Sequence, residues 1–178
     1  MMLLAVTLAA AFRLAMALVF AQSAWHAGRD WPRHVAAIAA YRLLPSRAAP
    51  AAAFLLTTAN AIVALLVLSA PMAAIAACAG AALLLLYAAA MAINVRRRRF
   101  HIDCGCGAGG QRIFTLLVVR NVILGCLLGA AAFAPEAGYE IMTMTAIGGT
   151  ALSLSALYFT VTQLLANRDA FAAQGVRA

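Results

Sequence analysis

A chain of 178 residues that is 66% hydrophobic, 10% charged and of mean hydropathy +0.97 has too little polar surface to clothe a soluble domain. Its formal charge of +8 comes from thirteen arginines and no lysine. These flank apolar runs of more than about eighteen residues, a placement that orients membrane spans rather than grips nucleic acid, so the bilayer is the expected partner and nucleic acid is excluded.

The expected fold is an all-α membrane bundle, one integral domain over residues 1–178, with about five transmembrane helices and a short interfacial helix after the first. The first span covers residues 1–25. No positive charge precedes its apolar run and Arg13 interrupts its middle, so it reads as a retained span rather than a cleaved signal peptide. In the following "WHAGRDWPRHVAAIAAYRLLPSR", the apolar positions Val35, Ile38 and Leu43 suit a short helix on the membrane surface, closed by Pro45. Trp25 and Trp31 belong at headgroup level. The remaining spans are residues 50–70, 72–95, 113–134 and 141–167. Each can cross roughly 30 Å of hydrocarbon at about 1.5 Å per residue.

Charge alternates along the connections. Arg29, Arg33, Arg42 and Arg47 follow the first span, and the turn from Ser69 to Met72 carries no charge. Arg96 to Arg99 and Arg112 follow the third span, only Glu136 and Glu140 follow the fourth, and Arg168 and Arg177 lie in the tail. The positive-inside rule reads this as a multi-pass protein of a bacterial inner membrane, N-terminus out and C-terminus in.

The third connection, "RRRRFHIDCGCGAGGQR", carries the chemistry. A Cys-x-Cys disulfide closes a small strained ring, so Cys104 and Cys106 are suited to rapid exchange at a relatively oxidising potential. The arginines and the start of the fourth span favour the thiolate, the reacting form. Asp103 opposes it unless it serves as a proton acceptor. A metal site is the competing reading, with His101, Cys104 and Cys106 as ligands, but structural zinc sites use wider spacing and a second ligand pair. The bland reading is two incidental thiols beside a topology signal.

Inside the spans, Arg13, Asn60, Asn94, Arg120 and Asn121 form a candidate polar patch, since no carboxylate lies in any span to neutralise the arginines. Such a patch could steady a thiolate or the head of a ligand such as a quinone, although snorkelling or backbone bonding explains it equally well. Cys78 and Cys126, in consecutive spans, are apolar fillers or a possible second thiol pair in the outer half of the membrane.

The motif "HIDCGCGAGGQ" with "LLVVRNVIL" after it and "HVAAIAAYRLLP" before it resembles the MauE/DoxX-like group of redox-associated membrane proteins, over about Arg13 to Leu124. The specific parts are Asp103-Cys104-Gly105-Cys106, Arg120-Asn121 and Tyr41-Arg42-Leu43-Leu44-Pro45. The resemblance implies a part in maturation of methylamine dehydrogenase, whose small subunit is dense in disulfides, together with a thioredoxin-like MauD partner. Two classes of action stay open: thiol-disulfide exchange, and a non-catalytic scaffold or export and assembly factor. The charge rule sets Cys104 and Cys106 on the cytoplasmic side, whereas disulfides form in the periplasm. Either the loop re-enters the bundle, electrons cross the membrane, or the rule misleads.

Overall fold

The computed structural model describes residues 2–99, 102, 113–135 and 141–175, and of residues 2, 3, 70 and 165–175 only the backbone path. Runs rich in Ala and Leu fold as helices because a backbone in hydrocarbon must satisfy its own N–H and C=O groups. Among the described residues six α-helices result: α1 (Met2–Arg29), α2 (Trp31–Ala40), α3 (Ala49–Leu66), α4 (Ala73–Arg96), α5 (Thr115–Ala132) and α6 (Ile141–Gly175). Five of them, all but α2, are long and apolar enough to cross a membrane, and the protein is an all-α multi-pass bundle.

The helix ends differ from the apolar runs. α1 continues beyond Trp25 to Arg29, placing His26 and Arg29 in its last turn, where the helix dipole favours cations. The Arg29 guanidinium lies 5.7 Å from the Trp25 ring centroid, a contact suited to the headgroup region. α3 stops at Leu66, and a 3₁₀ turn over Ala70–Met72 leads into α4. α6 runs to Gly175 rather than Asn167.

The interfacial helix is present as α2, with Pro32 in its first turn and no residue fully buried. It ends at a turn in which Arg42 adopts φ 49°, a left-handed conformation that lets the chain reverse towards the 3₁₀ turn Ser46–Ala48 and α3. Pro45 precedes that turn, so it opens the approach to α3 rather than closing α2 directly.

α4 and α5 form the most extensive helix pair, and α1 packs on α3 and on α6. The α4–α5 seam depends on small residues. A Cβ at Gly125 would stand 3.2 Å from Leu85 Cγ, and one at Gly80 would stand 3.0 Å from Leu128 Cδ2 and 2.9 Å from the Phe20 ring of α1. Close approach of this kind is how helices associate where lipid competes equally for apolar side chains. Met16, Phe20, Val63, Leu84 and Leu128 interlock around that seam in the main core. A separate cluster of Met91, Ile102, Ile113 and Leu117 sits at the arginine-rich end of α4.

Candidate functional site

The arginine run caps a helix and ties two elements together. Arg98, at φ 56°, takes the left-handed position after the α4 C-cap Arg97. The Arg98 N–H then donates to the Val95 carbonyl at 2.9 Å and the Arg99 N–H to Asn94 at 3.0 Å, the bond pattern of a Schellman cap. This turns the side chains back across the surface. Arg99 Nη1 lies 3.3 Å from Asn94 Oδ1 and 3.4 Å from the Tyr41 carbonyl, and Arg97 Nη1 lies 3.5 Å from the Arg42 carbonyl. The charges that signal topology therefore also hold the end of α2 against the end of α4.

Asp103, Cys104, Cys106 and His101 lie outside the described residues. Their flanks lie within them. The Ile113 N–H donates to the Ile102 carbonyl at 3.1 Å, and both side chains are buried with Met91 and Leu117. The two ends of the cysteine segment are thereby brought together and seated on the α4–α5 pair.

Tyr41, Tyr87 and Met91 pack with this anchor and also line a chamber of about 390 Å³ beside it. The chamber lies under α2, between the C-terminal half of α1, the N-terminal half of α3 and the C-terminal half of α4. Its walls are mainly Leu, Ile and Ala, and its size is that of a small-molecule site. At its polar end Asn60, 4% exposed, donates through Nδ2 to the Leu56 carbonyl at 2.7 Å and to the Tyr87 hydroxyl at 2.6 Å. A carbonyl only accepts, so Leu56 fixes the amide orientation and leaves Oδ1 as the remaining atom. Among the described residues, Asn60 Oδ1, Thr57 Oγ1 and His34 Nε2 are buried and make no hydrogen bond. Burial also lowers the His34 pKa by desolvation, so the ring is held neutral more readily.

The other expected polar residues occupy separate surroundings. Arg13 is 3% exposed, on the stretch of α1 between its contacts with α6 and with the main core. Arg120 turns to α6, with Nη1 3.2 Å from Thr162 Oγ1 and its guanidinium 5.2 Å from the Tyr158 ring centroid. Its neighbour Asn121 faces the interior at 3% exposure and donates to the Leu117 carbonyl of its own helix at 2.8 Å. Cys78 and Cys126 are free thiols on exposed positions of α4 and α5. The described hydrogen bonds join Asn60 to Tyr87 and Asn94 to Arg99, but do not link those two pairs to each other or to Arg120.

Sequence reasoning passed over Tyr87, Thr57 and His34. Tyr87 had a signal: a single phenol within "LLLLYAAAM" is a polar group that needs a partner in hydrocarbon. His34 and Thr57 had none, because a surface helix tolerates the first and a span the second.

A multi-pass helical protein with a ligand-sized intramembrane chamber beside an anchored Cys-x-Cys segment is the class that fold and site define. The family model described as methylamine utilisation protein MauE matches residues 5–134. The chain is 37% identical over 163 residues to methylamine utilization protein MauE of Paracoccus denitrificans, covering 90% of this chain and 88% of that one. Against the protein of the same name from Methylophilus methylotrophus, identity is 34% over 150 residues, 82% and 79% of the two chains. A shorter match to that of Paracoccus versutus reaches 42% over 81 residues, 42% of each chain. The chain belongs to the MauE family. No solved structure matches it.

Proposed function

We propose that the protein is an inner-membrane component of methylamine dehydrogenase maturation that exchanges disulfides, through Cys104 and Cys106, with a thioredoxin-like partner of the MauD kind. The disulfides formed in this way serve the small subunit. The observation that carries the reading is the pairing of Ile102 with Ile113, which seats a Cys-x-Cys segment on the bundle in a member of a methylamine-utilisation family.

The exchange balances within the two proteins. A partner thiolate attacks the Cys104–Cys106 disulfide, forming a mixed disulfide and releasing one cysteine thiolate. The partner's second thiolate then displaces the other cysteine. The partner leaves oxidised, and Cys104 and Cys106 hold the two electrons and two protons. Asp103 is the proposed proton acceptor beside the pair. The alternation of arginine-bearing and neutral connections supports an N-out, C-in orientation.

Replacing Cys104 and Cys106 with serine, singly and together, tests the reading in cells that assemble methylamine dehydrogenase. Loss of mature enzyme, with a mixed disulfide to the partner trapped in one single variant, is the expected result. Full maturation in the double variant would overturn exchange and leave a scaffold role.

A further inference from the structure

The chamber under α2 has a directional chemistry. One side is walled by Leu44, Leu55 and Leu86, which are 52%, 66% and 54% exposed and in a membrane face lipid. A ligand entering there comes from the hydrocarbon, so it carries an apolar tail. The polar end holds Asn60 Oδ1, an acceptor, and Thr57 Oγ1, which both donates and accepts. Buried polar atoms are nearly always satisfied, and Asn60 Oδ1 and Thr57 Oγ1, which with His34 Nε2 make no hydrogen bond on residues lining an apolar chamber, call for a head with hydroxyl or carbonyl oxygens. That head is neutral. Among the described residues the lining contains no carboxylate, arginine or lysine, and His34, its imidazole, is held towards the neutral form by burial. A phosphate or carboxylate head would find no counter-charge there.

We propose that this chamber binds the head of an isoprenoid quinone or quinol entering from the bilayer past Leu55 and Leu86. The quinol hydroxyl donates to Asn60 Oδ1, and a ring oxygen of either form accepts from the Thr57 hydroxyl. Asn60 Oδ1 finds a donor only in the reduced form, so the site holds quinol more tightly than quinone. Met91 and Tyr87 separate the chamber from the Ile102–Ile113 anchor by a single layer of side chains. Resting on the exchange reading above, the bound quinone is the electron acceptor for the reduced pair: two thiols give up two protons and two electrons, a disulfide forms, and quinone becomes quinol.

The test uses the full chain in lipid nanodiscs, decylubiquinone and its quinol as probes, and native mass spectrometry to count bound probe. Wild-type protein is expected to bind one probe saturably, the quinol at least threefold more tightly. Ala52 lines the chamber, and Ala52→Phe, which fills it, should weaken both forms at least tenfold. Asn60→Leu should abolish the preference for quinol, and Thr57→Val should weaken both forms in a protein that keeps the Asn60–Tyr87 bond. Unsaturable uptake, or affinity unchanged in Ala52→Phe and Thr57→Val, would overturn the site and mark the chamber as filled by lipid. If Ala52→Phe does not fold, Thr57→Val alone decides. Binding is measured again in the Cys104→Ser/Cys106→Ser double variant, where it should be unchanged. Intact binding with no quinol formed by reduced wild-type protein would overturn electron transfer from the pair to the quinone while the chamber stands, and exchange itself is overturned by full maturation in the double variant.

Discussion

Asn60 and Tyr87 are joined across α3 and α4 by a 2.6 Å hydrogen bond from the amide Nδ2 to the phenol oxygen. It adds a polar tie to the apolar contacts that α3 and α4 share in the main core. The bond also sets the Asn60 amide with its oxygen left over at the chamber.

A double-mutant cycle measures that bond. Asn60→Ala and Tyr87→Phe should each lower stability in detergent by about 1 kcal/mol, with a coupling of about 0.6 kcal/mol, the usual size for an interhelical bond in a membrane. Strictly additive effects in thermal or denaturant unfolding would show that the two side chains act independently.

The α4–α5 seam discriminates between two glycines. Gly80→Leu would drive atoms into Phe20 and Leu128, already 2.9 and 3.0 Å from a Cβ at that position. It should cost about 1–3 kcal/mol by overpacking. At Gly129 a Cβ would meet only Ala81 Cβ at 3.7 Å, an ordinary contact. Gly129→Ala should therefore be neutral or stabilise by up to about 1 kcal/mol through the stiffer backbone. Thermal unfolding of both variants checks the order, and equal effects would contradict the seam.

Acid should weaken the packing of α2. The His34 pKa is lowered below 6.5 by burial, so the unfolded chain takes up the proton first. The contribution is complete above pH 6.5, is lost as pH falls through that value, and levels off once the folded protein is protonated as well. Thermal stability of the wild type against His34→Gln, measured between pH 8 and pH 5, should differ in slope in this direction. A wild-type curve parallel to that of the variant would remove His34 as the cause.

Orientation can be read with reporters. Single-cysteine or enzyme fusions should locate the Arg96–Arg112 connection on the cytoplasmic side and the Pro135–Glu140 connection on the periplasmic side. Labelling of a residue in the Arg96 run by a membrane-impermeant reagent in intact spheroplasts would reverse the assignment. It would also remove the mismatch between the cysteine pair and its compartment.

The number and approximate extent of the spans were decided by sequence alone, because a backbone in hydrocarbon has only helices with which to satisfy itself, and Pro32, Pro45 and Pro71 punctuate the apolar runs. The surface helix after the first span was equally plain from the spacing of Val35 and Ile38 between tryptophan and arginine. What sequence did not reveal is which face of each span looks inward. In a soluble helix the apolar stripe marks that face, but apart from Tyr87 and Asn94 on α4 and Arg120 and Asn121 on α5 the side chains of these spans show no such stripe, since lipid and protein interior accept the same apolar groups. Rotation was decided by the tertiary fit of Gly80 and Gly125 against Phe20, Leu128 and Leu85. That rotation brings Tyr87 to Asn60, turns Arg120 towards Thr162 while Asn121 faces the interior, and leaves Cys78 and Cys126 on exposed positions. The grip of Arg99 on Tyr41 across 58 positions of chain, and the chamber beneath α2, arise from the same fit. Contacts between residues so far apart leave no periodic trace in a sequence whose spans are apolar on nearly every face.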